Sequence, residues 1–182
     1  IHTRIQTWPT NVGNIEDFLN GNEIINIEFI NSIGSSSKGI SALEYLLFES
    51  DTSTLLATLQ EEPRRLDYIL ALSEELNNRA EEIYDIWEGF GPDFIKATQS
   101  DLDGGQNQTV NALVSLIEEI VISKLGRPLG EANGGTPDAE ELEAFRSDSS
   151  LYLMKSNIQE LQNVFTGNYK ENTRQIGFDE YL

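Results

Sequence analysis

The chain has no cysteine, one histidine and one methionine among 182 residues. Without cysteine there are no disulfides, no thiolate metal sites and no cysteine nucleophile, although this does not identify the compartment. With His2 as the single histidine, a two-histidine zinc site within the chain is excluded. A Ser-His-Asp triad would have to use His2 as its base, and nothing around it supports that. Basic residues are also scarce, 12 against 31 acidic, for a formal net charge of −19. Such a chain repels nucleic-acid phosphates and anionic membrane surfaces, so no nucleic-acid partner is expected. The densest basic point is Pro63-Arg64-Arg65. The acidity serves solubility or attracts cations. No apolar run reaches the ~18 residues of a membrane span, so no transmembrane segment is expected. No export signal is visible at Ile1, and a chain opening on Ile rather than Met leaves its natural start open.

What is present is mostly helical periodicity. Residues 14–19 suit a short helix stopped by Asn20-Gly21. Residues 24–30 permit strand, helix or loop. A Gly/Ser loop over 34–39 leads into a helix over 39–48, and Leu55, Leu56 and Leu59 mark another over 52–62. Pro63 suits the first turn of a long helix. Its apolar positions run from Leu66 to Trp87, and Gly89-Phe90-Gly91-Pro92 is expected to stop it. Val110, Leu113, Val114, Ile117, Ile120, Val121 and Leu125 mark the next helix, ended by Gly126-Arg127-Pro128. A Gly-rich stretch follows, then a short acidic helix over 138–145. The last helix carries Leu151, Met154, Ile158, Leu161 and Phe165, with Gly167 as its stop. No convincing strand pair and no repeat is visible. The expected fold is an all-α helical bundle with long polar loops, with a possible sub-boundary near 101–108.

Several chemical look-alikes fail on spacing. In Gly34-Ser-Ser-Ser-Lys38-Gly39 the lysine precedes the second glycine, unlike a phosphate loop. After Asp101-x-Asp103-Gly104 the twelfth position falls on Ala112 or Val110, so no calcium loop is completed, and a helix-capping turn is expected. Glu118 and Glu119 are adjacent and diverge on a helix, and no Glu-x-x-His pair exists for a di-metal bundle site. Asn107-Gln108-Thr109 matches a glycosylation sequon, which matters only in a eukaryotic secretory pathway.

One oddity survives. On the helical wheel of 39–48, Ile40, Leu43 and Leu47 share a face with Phe48 close by, and Glu44 falls inside that apolar stripe. Ser41 lies beside it, one turn earlier. A carboxylate on a buried face requires a partner. Three readings stand: a closed pair with Arg64 or Arg65, a binding site, or a helix rotated so that Glu44 is exposed.

Several stretches in order resemble the imelysin-like family of bacterial cell-envelope proteins, also called imelysin peptidases. Gly39-Ile-Ser41-Ala-Leu-Glu44 is similar to its Gly-x-His-x-x-Glu signature, with serine at the histidine position. Trp8-Pro9, Arg64-Arg65-Leu66-Asp67-Tyr68-Ile69, Trp87, the stretch from Lys124 to Gly130, Glu143 with Arg146 to Leu151, and Gly177-Phe178-Asp179 extend the resemblance over nearly the whole chain. It implies a helical fold, usually of two bundle-like domains, export or lipid anchoring, and association with iron uptake. Family members are usually longer at both ends, so the chain reads as a central segment or a shortened member. A periplasmic, outer-membrane or cell-surface location is the corresponding expectation.

Histidine offers a metal a ring nitrogen and is a base near neutral pH. Serine offers a weak ligand and an unactivated nucleophile. The leading expectation is therefore a non-catalytic imelysin-like protein that binds iron or a related ligand. The site is expected at Gly39, Ser41 and Glu44, with Arg64 or Arg65 and the 143–150 stretch, Glu143, Ser147 and Ser150 above all, as walls. Glu44 is the expected metal contact, and its oxygen favours a hard cation such as ferric iron or calcium. The alternatives are a metallopeptidase, or a structural module docking a cell-surface protein partner.

Overall fold

The computed structural model describes residues 5–99, 101–132, 134–170 and 173–180. His2 lies outside the described residues, so the reading placed on it has no structural counterpart. The chain forms two compact units: Ile1–Asp93 with Glu140–Ser147, and Phe94–Ala139 with Asp148–Leu182. The stretch 101–108 lies inside the second unit.

The first unit is built on α1 (Val12–Asn20), α2 (Ile27–Ser32), α3 (Gly39–Phe48), α4 (Thr52–Glu61) and the greater part of α5 (Pro63–Lys96). Side chains of Asn11, Asn26 and Asp51 accept the first free N–H groups of α1, α2 and α4, which sets where those helices begin. The open reading of 24–30 thus resolves to a short helix capped by Asn26. Ile15, Ile25, Ile30, Ala42, Tyr45, Leu46, Tyr68, Ala71 and Leu72 form one buried cluster. Phe29 sits edge-on to both Phe18 and Tyr68, with centroids 5.2 and 6.3 Å away. Tyr68 is wholly buried and donates to the Ser37 carbonyl at 2.8 Å, so burial pushes its hydroxyl well above the ordinary tyrosine range. Lys38, the lysine of the phosphate-loop look-alike, donates instead to the Ile30 carbonyl at the end of α2.

Three expectations about the helices need correction. α5 does not stop at 89–92 but runs to Lys96 with Pro92 inside it. Pro92 removes a single donor near the helix end, and Gly91 is there for packing: a Cβ would lie 3.3 Å from the Trp87 indole. Residues 138–145 do not form an α-helix. A 3₁₀ turn at Ala139–Glu141 gives way to turns, consistent with the like charges of Glu140 and Glu143 one helical turn apart. The third concerns the face of α3. Ser41, Ala42, Tyr45 and Leu46 are buried, whereas Ile40 and Phe48 are about half exposed, at 46% and 53%. The buried stripe is therefore rotated from the one expected, and Glu44 lies at its margin.

In the second unit α6 (Gly105–Glu118) continues into a π-helical segment, Glu119–Gly126, and α7 (Ser150–Phe165) follows the Gly-rich turns. Ile120 and Met154 are buried there, and Lys124 donates to the Asn157 side chain of α7 at 2.8 Å. The Asp101 look-alike is an Asx turn ahead of α6, with the Asp103 N–H on the Asp101 carboxylate at 3.1 Å; it does not cap the helix as expected, since the N-cap Gly104 has no side-chain hydrogen bond. After α7, β1 (Asn168–Lys170) pairs antiparallel with β2 (Thr173–Arg174). This ribbon corrects the expectation of no strand pair. Its strands are too short to show any alternation. Among the described residues no helix is long and apolar enough to cross a membrane.

Candidate functional site

The site is organised by the first residues of α3. Gly39 has φ +79°, a conformation that costs other L-residues steric strain, and it turns the chain out of the Ser35–Ser37 3₁₀ turn into the helix. That turn delivers Ser41 to a position that is only 4% exposed, with its hydroxyl making no hydrogen bond among the described residues. Glu44 follows one turn later.

Both line a pocket with room for about 10 Å³, shared with Trp8, Pro9, Thr10, Glu140, Leu142, Glu143, Phe145 and Arg146. That is space for one water-sized occupant. Trp8 and Pro9 are joined by a cis peptide. The partner that Glu44 requires is Ser147: its backbone N–H and its hydroxyl both donate to Glu44 Oε1, at 2.8 and 2.7 Å. Neither a closed arginine pair nor an exposed Glu44 describes this arrangement. Glu143 is buried and accepts from the Gln6 amide at 2.9 Å. Arg146 bonds the Glu49 carboxylate, with its guanidinium 4.4 Å from the Phe145 ring centroid and 5.2 Å from that of Tyr45.

The structure therefore gathers Ser41, Glu44, Glu143 and Ser147, with Gly39 placing the helix that carries the first two. It does not bring Arg64 or Arg65 to this pocket. Arg64 donates to the carbonyls of Phe18, Leu19 and Glu23, closing the C-terminal end of α1. Arg65 bonds Glu16 at 3.0 Å and Glu62 at 3.2 Å. Burial opposes its charge, and the two carboxylates more than offset that, so its pKa is raised. Glu16 also accepts from the Tyr45 hydroxyl at 2.6 Å, and burial together with that carboxylate pushes the Tyr45 pKa up to about 12. Ser150 begins α7 in the second unit, where it is buried.

The expected wall stretch 143–150 contains Phe145 and Arg146, but sequence reasoning did not name Trp8, Pro9, Thr10, Glu140 or Leu142 as site residues. Trp8-Pro9 and Arg146 do stand in the stretches that carry the family resemblance, and that signal pointed to them. Among the described residues no group of three or more Asp, Glu, His or Cys side chains is placed to hold a metal ion. The oxygen donors at Ser41 and Glu44 suit a hard cation in kind but do not make up the set of a resident metal centre.

No match was found to a curated protein or to a solved structure. The imelysin profile, in contrast, matches residues 1–182, the full sequence. It covers the signature stretch on α3, the Trp8-Pro9 wall and the 140–147 segment alike, and the chain belongs to the imelysin family.

Proposed function

We propose that this chain is a non-catalytic imelysin-family protein of the bacterial cell envelope. In this reading it takes part in iron acquisition, or in capture of a related ligand, and receives its ligand at Ser41 and Glu44. One observation carries the proposal: the buried Ser41 hydroxyl, without a hydrogen-bond partner among the described residues, lines the same small pocket as the Glu44 carboxylate. A buried hydroxyl left unbonded is unfavourable by about 1–3 kcal/mol, so the pocket favours an occupant that satisfies it. The same observation argues against catalysis. A serine nucleophile needs a base in contact, and Ser41 has none among the described residues. Family membership and the acidic surface support an envelope protein that meets cations.

Because the protein donors are few, iron fits as cargo that brings part of its own oxygen shell, rather than as a resident cofactor. Isothermal titration with ferric, ferrous, zinc and calcium ions tests this. The expected result is saturable binding of the hard ions, weakened at least tenfold in Glu44→Gln. Absence of any Glu44-dependent binding sinks the cation version. Chelator-sensitive proteolysis that disappears in Glu44→Ala would establish the metallopeptidase alternative instead.

A further inference from the structure

The chain leaves the first unit after Asp93, returns to it for Glu140–Ser147 alone, and leaves again at Asp148. This returning strap has no α-helix or strand, only the Ala139–Glu141 turn and the turns that follow. Yet it supplies half of the pocket lining: Glu140, Leu142, Glu143, Phe145 and Arg146. Ala144 is its one buried apolar residue. Much of its attachment runs through side chains, namely Ser147 on Glu44, Arg146 on Glu49 and Gln6 on Glu143. A segment without regular helix or strand, with a single buried apolar residue and several polar attachments, belongs to the low-stability end of a fold and opens locally.

We infer that the Glu140–Ser147 strap is a gate over the Ser41 pocket and that Glu44 is its latch. Glu44 Oε1 already accepts both Ser147 donors, at 2.8 and 2.7 Å, while the same carboxylate faces the pocket. An occupant that draws on this carboxylate competes with Ser147, so filling the site and releasing the strap are linked in both directions. The latched pocket admits one water-sized occupant, and anything larger requires the strap to lift. The identity of the occupant rests on the reading proposed above. The latch itself does not, and it is measurable with nothing bound.

Amide hydrogen exchange on the full chain provides the test, comparing the native protein with Ser147→Ala and Glu44→Ala. Ser147→Ala removes one of the two bonds and is expected to speed exchange over 142–148 about tenfold, with at least as much again for Glu44→Ala. Peptides spanning α1 and the buried 68–72 stretch of α5 should exchange at the native rate. Unchanged exchange in the strap overturns the inference. So does a uniform rise that includes 68–72, which would make the strap an integral part of the core. In a second arm, calcium is added to the native protein. Faster strap exchange in the native protein, with no further rise in Glu44→Ala, supports competition at Glu44, whose remaining bond to the Ser147 N–H persists in Ser147→Ala. Slower exchange overturns it. If titration finds no cation binding at all, the cation version of the proposed function fails, while the ligand-free comparison still judges the latch.

Discussion

Replacing Arg64 separates a structural role from a binding role at a residue that the sequence made a candidate for the site. Its guanidinium donates Nε to Leu19, one terminal nitrogen to Phe18 and the other to Glu23, at 2.9, 2.7 and 2.7 Å. α1 has no basic residue of its own in its last turn, so Arg64 supplies the positive charge that its C-terminal carbonyls favour. A hydrogen bond from a charged donor is worth roughly 1.5–3 kcal/mol when buried, and one of these three is exposed. Allowing for that and for non-additivity, Arg64→Ala should destabilise the first unit by about 3 kcal/mol. Arg64→Lys should recover less than half of this, because one ammonium cannot reproduce a planar three-way fork. Urea unfolding followed by tryptophan fluorescence is the assay, since both tryptophans, Trp8 and Trp87, lie in the first unit. The midpoint should fall without a change in slope. Cation binding, measured where the variant remains folded, should match the native protein. A loss below about 1 kcal/mol, or a lysine variant equal to the native protein, would refute the capping account.

Two further predictions rest on the same unit. The Tyr45 hydroxyl titrates near 12 in the folded chain against 10.0 for the free group. Since the folded value is the higher one, its contribution is whole below about pH 10 and disappears as pH rises through about 12. After allowance for solvent screening, about 1–2 kcal/mol of stability should be lost over that window. Tyr45→Phe should flatten this alkaline limb in urea titrations at stepped pH, and an unchanged limb would show that another group controls it. Gly39→Ala should cost about 1–2 kcal/mol, because φ +79° strains any side chain. Gly34→Ala, whose Cβ meets nothing within 4 Å, should be near neutral. Equal thermal shifts in the two variants would remove the conformational reason for the signature glycine.

Most helix positions were legible because they depend on neighbours in the sequence. The 39–48 and 52–62 readings became α3 and α4 with small changes, since capping residues and apolar spacing act within a few positions of one another. Pro92 misled because the rule it follows is also local: a helix tolerates one missing donor near its end when packing such as Gly91 against Trp87 favours continuing. Of the apolar positions marked along 110–125, Ile120 is buried while Val110, Val114, Ile117, Val121 and Leu125 are exposed, and periodicity alone does not say which of them find a partner. The same limit set the face of α3 wrongly, for Ala42 and Ser41 are buried where the larger Ile40 and Phe48 are not.

The sequence by itself determined the helical class, the absence of thiol chemistry, the scarcity of imidazole and the imelysin signature with serine in place of histidine. These depend on composition and on spacing along one chain. Only the tertiary structure decided what Glu44 holds. Ser147 lies 103 residues away, and its two bonds to Glu44 exist because the chain returns to the first unit for a single strap. Arg64 and Arg65, much nearer in sequence, were drawn instead to α1, where free carbonyls and Glu16 compete for their charge. Partner choice is a contest among all groups brought within a few ångströms, and no local pattern records which of them folding brings together.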